Sequence, residues 1–180
     1  NNEKVEFNEK SEYIGLSSIY LGLIYQQFED EVKSEEAFKT AFELMDHSLK
    51  IRLKYHLIRI QFYSKIGQLR QAEKLLKMSV KAIDFDNVPE EYNYILLELL
   101  LELSEYFIHA KSDKKRANSF LSRAKNYINT KSISGIKATI RWNQLMRDFY
   151  RDLLENDNKA LSYYKRSKNL KSQLLQMGIE

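Results

Sequence analysis

Residues 62–79 place a glycine between two stretches of helix-forming residues, and this feature restricts the fold more than any other part of the chain. Tyr63 stands four positions before Gly67, and apolar or small residues follow the glycine at helical spacing: Leu69, Ala72, Leu76 and Ser79. Glycine commonly ends a helix because it adopts the left-handed conformation at no steric cost. A second helix begins at once, and Ala72 marks a close approach of the two helices. One such pair cannot bury its own apolar face, so it predicts further pairs stacked beside it.

The pattern of alanine, three residues, a large apolar residue, two residues and a small residue occurs three times. The three copies are Ala72–Leu76–Ser79, Ala117–Leu121–Ala124 and Ala160–Tyr164–Ser167. They are separated by 45 residues (72 to 117) and 43 residues (117 to 160). Together with the 62–79 element, this pattern resembles the tetratricopeptide-repeat family, whose usual period is about 34 residues. Near the N-terminus, Leu21, Gly22 and Tyr25 resemble the first helix of a repeat, with Ala37 or Ala41 as candidates for its second helix.

The resemblance implies an all-α fold, a right-handed α–α superhelix of about four helix hairpins. We predict hairpins at about 9–48, 51–83, 89–129 and 136–177, within a single domain covering 1–180. Packing between helices is assigned to the following residues: Gly22, Tyr63, Gly67, Ala72, Ala117, Ala124 and Ala160. Ser112 and Glu155 take the place of Gly67 in the later pairs, so we expect those turns to be built differently.

Composition supports a helical chain. It contains 5 glycines and 1 proline, and leucine, lysine, glutamate and tyrosine are abundant. We place helix breaks near 46–48, at 86–89, where Pro89 suits a first helical turn, at Ser112-Asp113, at 130–135 and at 156–158. The longest apolar run, 95–103, is interrupted by Glu98 and Glu102 and is too short to cross a membrane.

The net charge of +4 conceals alternating blocks. Residues 1–46 carry eleven acids against four bases, whereas 47–83 carry nine Lys or Arg against Glu73. Residues 84–110 hold seven acids and no Lys or Arg, and 111–131 are basic again, at +6. Stacked helices that pair opposite charges across their solvated faces account for this alternation. A basic face that binds an acidic partner is the alternative.

The predicted fifth helix has one polar stripe. Glu91, Glu98, Glu102, Glu105 and His109 fall at helical spacing on an otherwise apolar segment. The stripe is either the solvent face of an amphipathic helix or an acidic strip that binds amino groups. On the predicted seventh helix, residues with helical spacing form either core or the apolar floor of a groove: Trp142, Met146, Phe149 and Tyr150.

Nothing in the sequence indicates catalysis, a metal or a cofactor. The chain has no cysteine, which removes disulfides, thiolate metal sites and cysteine nucleophiles. None of its three histidines, His47, His56 and His109, lies in a zinc or di-iron motif. No serine elbow and no glycine-rich phosphate loop occurs. We therefore expect a protein that is not an enzyme.

In tetratricopeptide-like arrays the first helix of each pair lines a concave face that binds peptides or proteins. Applied to this sequence, the resemblance places the following residues in such a groove: Gln27, Lys54, Leu57, Gln61, Lys65, Glu102, Tyr106, His109, Phe149 and Asp152. The first pair also offers Leu23 and Gln26. Lys54 and Lys65 match part of the set that clamps a C-terminal carboxylate in some members, but the accompanying asparagines are missing, so we predict no such clamp.

The leading hypothesis is a soluble, cytoplasmic scaffold that binds a peptide or protein. We expect the chain to be part of a longer protein, because it begins Asn-Asn without a start methionine. A homodimer is compatible with this hypothesis. Long helices rich in Lys, Tyr and Leu also resemble the ligand domains of Gram-positive peptide-sensing regulators, which gives a second hypothesis. A nucleic-acid binder that uses the two basic blocks is a third, although it lacks the aromatic motifs of such modules. A self-assembling structural bundle is a fourth.

Overall fold

The structure is a computed structural model that describes the backbone of residues 2–179 and the side chains of residues 9–179. Over this range the chain forms eight α-helices and no strand. The helices are α1 Asn2–Gln27, α2 Glu31–Glu43, α3 Leu49–Lys65, α4 Leu69–Ala82, α5 Asn93–His109, α6 Lys114–Tyr127, α7 Ile133–Asp148 and α8 Asp157–Gln176. A 3₁₀ turn, Glu90–Tyr92, precedes α5, and a π-helical turn, Phe149–Leu153, follows α7. The prediction of an all-α fold with helices packed in neighbouring pairs is confirmed.

Most predicted helix boundaries agree with the structure to within a few residues. The break near 46–48 is confirmed, because α2 ends at Glu43 and Ser48 caps α3 by accepting a hydrogen bond from the Ile51 amide. Two boundaries differ from the predictions. Helix α1 extends back to Asn2, and Pro89 precedes the 3₁₀ turn instead of lying in the first turn of α5.

The chain divides into two compact units, Asn1–Ile95 and Leu96–Glu180, and the prediction of a single domain remains a prediction. In the first unit, α1 packs against α2 and α3, and α3 packs against α4. The fully buried side chains at the centre of this unit are Ile19, Ile51, Leu53 and Ile60. They come mainly from α3, which packs against α1 and α4.

In the second unit, α7 packs against α6 and α8, while α5 supplies a block of buried leucines. The Trp142 indole N–H donates to the Leu121 carbonyl at 2.9 Å, which ties α7 to α6. Trp142, Met146 and Phe149 are buried, so this stripe of α7 is core. The rings of Phe107 and Phe120 stack with centroids 5.5 Å apart and join α5 to α6.

Each of the four turns within the helix hairpins contains one residue with a left-handed backbone. The residue two positions before each second helix adopts a left-handed backbone, with φ of 60°, 77°, 49° and 51° at Glu29, Gly67, Ser112 and Glu155 respectively. The expectation that the turns at Ser112 and Glu155 are built differently from that at Gly67 is confirmed, although each holds a left-handed residue. They differ in length: the closing backbone hydrogen bond spans five residues in the first two turns and six in the last two. Non-glycine residues accept this conformation here at a cost of about 1 kcal/mol.

A polar residue follows the left-handed residue in every hairpin turn. In three of the turns its side chain accepts a hydrogen bond from the amide three residues on, at 3.0 to 3.1 Å; these residues are Asp30, Asp113 and Asn156. The predicted cap at Ser112-Asp113 is thus provided by Asp113. Gln68 occupies the same position after Gly67 but makes no side-chain cap.

The small residues of the alanine pattern are buried, and the structure adds a fourth copy of the pattern. Ala72, Ala117 and Ala160 each lie five positions after the left-handed residue of their turn. Counting five from Glu29 reaches Ser34, which is 2% exposed and donates through Oγ to the Gly22 carbonyl at 3.0 Å. In this copy the large and small positions are Phe38 and Ala41, both buried. Neither Ala37 nor Ala41 therefore takes the alanine position in the first hairpin.

Gly22 allows the close approach that its assignment to helix packing requires. A Cβ atom built on it would lie 2.6 Å from the Phe38 ring, so α1 and α2 meet here with no room for a side chain. Across the part of the chain that the structure describes, none of the helices combines the length and apolar character needed to span a membrane.

Candidate functional site

The second unit contains an open cleft of about 670 Å³ between the end of α5, the middle of α7 and the end of α8. We call it the α7–α8 cleft. Five apolar side chains line it: Ile140, Leu145, Leu174, Leu175 and Ile179. The polar side chains around them come mainly from α5 and α7. A volume of this size is ordinary for a ligand site, which combines apolar walls with a few fixed polar groups.

Arg141 dominates the polar side of the cleft. Its two terminal nitrogens lie 3.2 Å from Glu98, 3.0 Å from Glu102 and 2.8 Å from Glu105. Burial on its own disfavours a charged guanidinium, but Glu102 and Glu105 outweigh that effect and raise the pKa of Arg141. The polar stripe of α5 is therefore neither a simple solvent face nor a vacant acidic strip, because an arginine from α7 already binds it.

A second charged cluster lies about two turns further along α7. The buried Asp148 carboxylate contacts Arg147 at 2.6 Å, Arg151 at 3.2 Å and the His109 Nε2 at 3.6 Å. A hydrogen bond from Arg151 lowers the pKa of Asp152, which lies 2.6 Å from that guanidinium. Ion pairs that are held on a helix face keep their geometry and can orient a ligand at little further cost in entropy.

The structure brings one of the predicted groove residues of this unit, His109, to the α7–α8 cleft. Glu102 is nearby but engaged with Arg141, and Asp152 is paired with Arg151. Phe149 is 4% exposed in the π-helical turn and belongs to the core. Tyr106 is half-buried, with its ring edge-on to a neighbouring phenylalanine and under the Lys111 ammonium.

The predicted residues of the first unit do not converge on a cavity. Gln27 and Lys65 are exposed at helix ends, Gln61 is half-buried and Leu57 is in the core. The Lys54 ammonium lies 5.3 Å from the centre of the Tyr94 ring. Nearby, Lys50 forms an ion pair with Glu12, which raises the pKa of Lys50 and joins the acidic block 1–46 to the basic block that follows it.

Sequence reasoning missed most of the cleft. Arg141, Asp148 and Leu175 were not predicted as site residues. The signal for Arg141 was present, because three glutamates on one helical stripe require a cation on a facing helix. The sequence does not say which helix supplies it. The side chains that the structure describes contain no group of three or more His, Asp or Glu that could hold a metal ion.

Fixed charges beside an apolar wall can bind a segment that presents both a charged and an apolar side chain. In comparisons with protein-family models, curated proteins and solved structures, nothing matches this chain.

Proposed function

We propose that this protein is a non-enzymatic binding scaffold, a tetratricopeptide-like right-handed array of helix hairpins that binds a peptide or protein segment. The α7–α8 cleft is the observation that carries the binding proposal, because an apolar wall and fixed ion pairs line one cavity of ligand size. The left-handed residue in each turn and the four buried small-residue patterns support the proposal of a repeat architecture.

The ligand we propose is a short segment with an apolar side chain next to an acidic one. Leu175 is 65% exposed and presents an uncovered apolar surface in the cleft. The exposed Lys171 ammonium lies on the same helix one turn earlier and also lines the cleft. An apolar side chain packed on Leu175 would place a carboxylate one or two residues away within reach of Lys171.

The experiment is a selection of random 12-residue peptides on the purified 180-residue chain, followed by calorimetric titration of the enriched peptide. Leu175→Glu puts a charge on the apolar wall and is expected to weaken binding at least about tenfold, which corresponds to roughly 1.4 kcal/mol. Lys171→Glu is expected to weaken binding and to reverse the preference for acidic peptides.

The matched controls are Leu161→Glu and Lys168→Glu, which change exposed residues of the same helix away from the cleft. Both are expected to keep wild-type affinity. Equal losses in the cleft and control variants, or the absence of any enriched peptide, would refute the proposal.

A further inference from the structure

The first unit contains a separate cavity of about 460 Å³, lined by residues of α1, α2, α3 and α4. Four aromatic rings form much of its wall: Phe38, Phe42, Tyr55 and Tyr63. Arg59 of α3 lies among them. Of the groove residues predicted from the sequence, Gln26 lines this cavity, and the cavity shares no lining residue with the α7–α8 cleft.

The Arg59 guanidinium is held rigidly. Its central carbon lies 3.9 Å from the centre of the Phe38 ring and 4.9 Å from that of Tyr55, so the cation is in cation–π contact with both rings. One terminal nitrogen donates to the Tyr55 hydroxyl and the other donates to the Tyr63 hydroxyl at 3.3 Å. The Tyr63 hydroxyl donates in turn to Gln26 Oε1 at 3.2 Å. The position of the Arg59 guanidinium is therefore fixed before any ligand binds.

Arg59 has no anionic partner within the described part of the chain, and this sets it apart. Arg52, Arg141 and Arg147 are also half-buried, and each lies within 4 Å of a carboxylate. Both partners of Arg59 are neutral hydroxyls, and its Nε atom is buried with no hydrogen-bond acceptor. A partly buried cation without a counter-charge is costly, and an anion that reached it would be bound by charge-assisted hydrogen bonds.

The available donors suit a carboxylate. A guanidinium has five N–H groups. Two bond to tyrosines and the Nε–H is enclosed, so each terminal nitrogen retains one N–H for a ligand. Burial raises the pKa of Tyr55, which keeps its hydroxyl protonated, and that hydrogen has no acceptor among the described residues. Three donors thus converge at the edge of an aromatic wall.

We propose that the Arg59 cavity binds a carboxylate that is joined to an aromatic or aliphatic body. The carboxylate lies on Arg59 and Tyr55, and the body packs on Phe38 and Phe42. Glu31, Glu35 and Lys74 also line the cavity and are exposed, so solvent screens their charges. Selectivity for the carboxylate comes from contact with Arg59 and not from the net charge of the rim.

The test is an NMR titration of the full 180-residue chain with two probes, N-acetylphenylalanine and its neutral amide. The acid is expected to give saturable shifts at the amides of Ser34 and Gln71, which line the cavity, and to bind at least about tenfold more tightly than the amide. A third probe, N-acetyl-aspartyl-phenylalaninamide, carries its carboxylate on a side chain. Whichever of the two acids binds more tightly identifies the source of the carboxylate as a chain terminus or an acidic side chain.

Arg59→Gln is expected to remove the preference for the acid over the amide. The matched control is Arg52→Gln, which changes an arginine already bonded to Asp46 and to a backbone carbonyl and should keep wild-type affinity. Tyr55→Phe keeps the ring and removes one donor, so it should weaken the acid several-fold and leave the amide unchanged. The proposal is overturned if neither acid shifts the cavity amides, if acid and amide bind equally, or if Arg52→Gln has the same effect as Arg59→Gln.

Discussion

His56 should make the stability of this protein fall in mild acid. The residue lies on α3 with 0% of its surface exposed, and neither ring nitrogen has a hydrogen-bond partner within the described residues. Burial disfavours the imidazolium, and the positive charges of Arg59 and Arg52 add to that effect, which lowers the pKa of His56 to about 4. In the unfolded chain the ordinary value is about 6.5.

The direction of this pH effect on stability depends on whether the folded or the unfolded state binds the proton more tightly. Above pH 6.5 the imidazole is neutral in both states, so its contribution to stability is fully present. As the pH falls from 6.5 towards 4, the unfolded chain takes up a proton that the folded chain refuses, and unfolding is favoured. With folded and unfolded pKa values of about 4 and 6.5, the loss between pH 7.5 and 4.5 is about 2.5 kcal/mol.

Urea denaturation of the wild type and of His56→Leu at pH 7.5 and 4.5 measures the contribution of His56 to this loss of stability. Leucine fills a similar volume and carries no polar atoms, so the variant should be at least as stable as the wild type at pH 7.5. It should lose about 2.5 kcal/mol less than the wild type on acidification, since other titrating groups act equally on both proteins. His47→Gln, at an exposed position, should keep the wild-type dependence. Parallel pH profiles for wild type and His56→Leu would show that the buried imidazole is not the cause.

Further substitutions test the Arg141 ion pairs and the left-handed residues of the turns. Arg141→Met removes the cation that the half-buried Glu102 carboxylate contacts and should cost about 2 kcal/mol. The melting temperature should fall by roughly 4–8 °C, whereas the exposed Arg70→Met should have little effect. Gly67→Ala should destabilise the protein by about 1 kcal/mol and Ser112→Gly should stabilise it by a similar amount, because both residues hold the left-handed conformation. Chemical denaturation measures both changes in the free energy of unfolding. Changes of the same sign would contradict the left-handed conformation at the two positions.

The sequence was sufficient to place all eight helices, most of which are separated by breakers and caps with local physical causes. Asp113 and Asn156 cap helices through their own side chains, so their effect is visible in a short window of sequence. The turn at Gly67 was visible for the same reason. The left-handed conformation at Ser112 was not predicted, because serine has no preference for that conformation and adopts it only when the packed helices on both sides impose it. The break before α3 was predicted from the repeat pattern, and the structure shows that Ser48 caps this helix.

The first copy of the alanine pattern was missed for a related reason. Ser34 replaces alanine, and its hydroxyl is satisfied by the Gly22 carbonyl on a different helix. A serine at a close helix contact is indistinguishable in sequence from a serine on the surface. The cation that binds the α5 glutamates was missed because Arg141 is about forty residues away, and pairing over such a distance is decided by packing and not by local spacing.

The hairpin turns also bear on how the chain folds. Each turn is closed by a backbone hydrogen bond that spans five or six residues, and in three of them the cap that follows spans three. A helix pair can therefore close before any distant part of the chain is in place, and a chain assembled from such local contacts has a low contact order. We expect rapid folding that starts within single hairpins. The connections between hairpins, 44–48, 83–92 and 128–132, already differ in length. Evolution can lengthen or shorten them at small entropic cost while every hairpin remains intact.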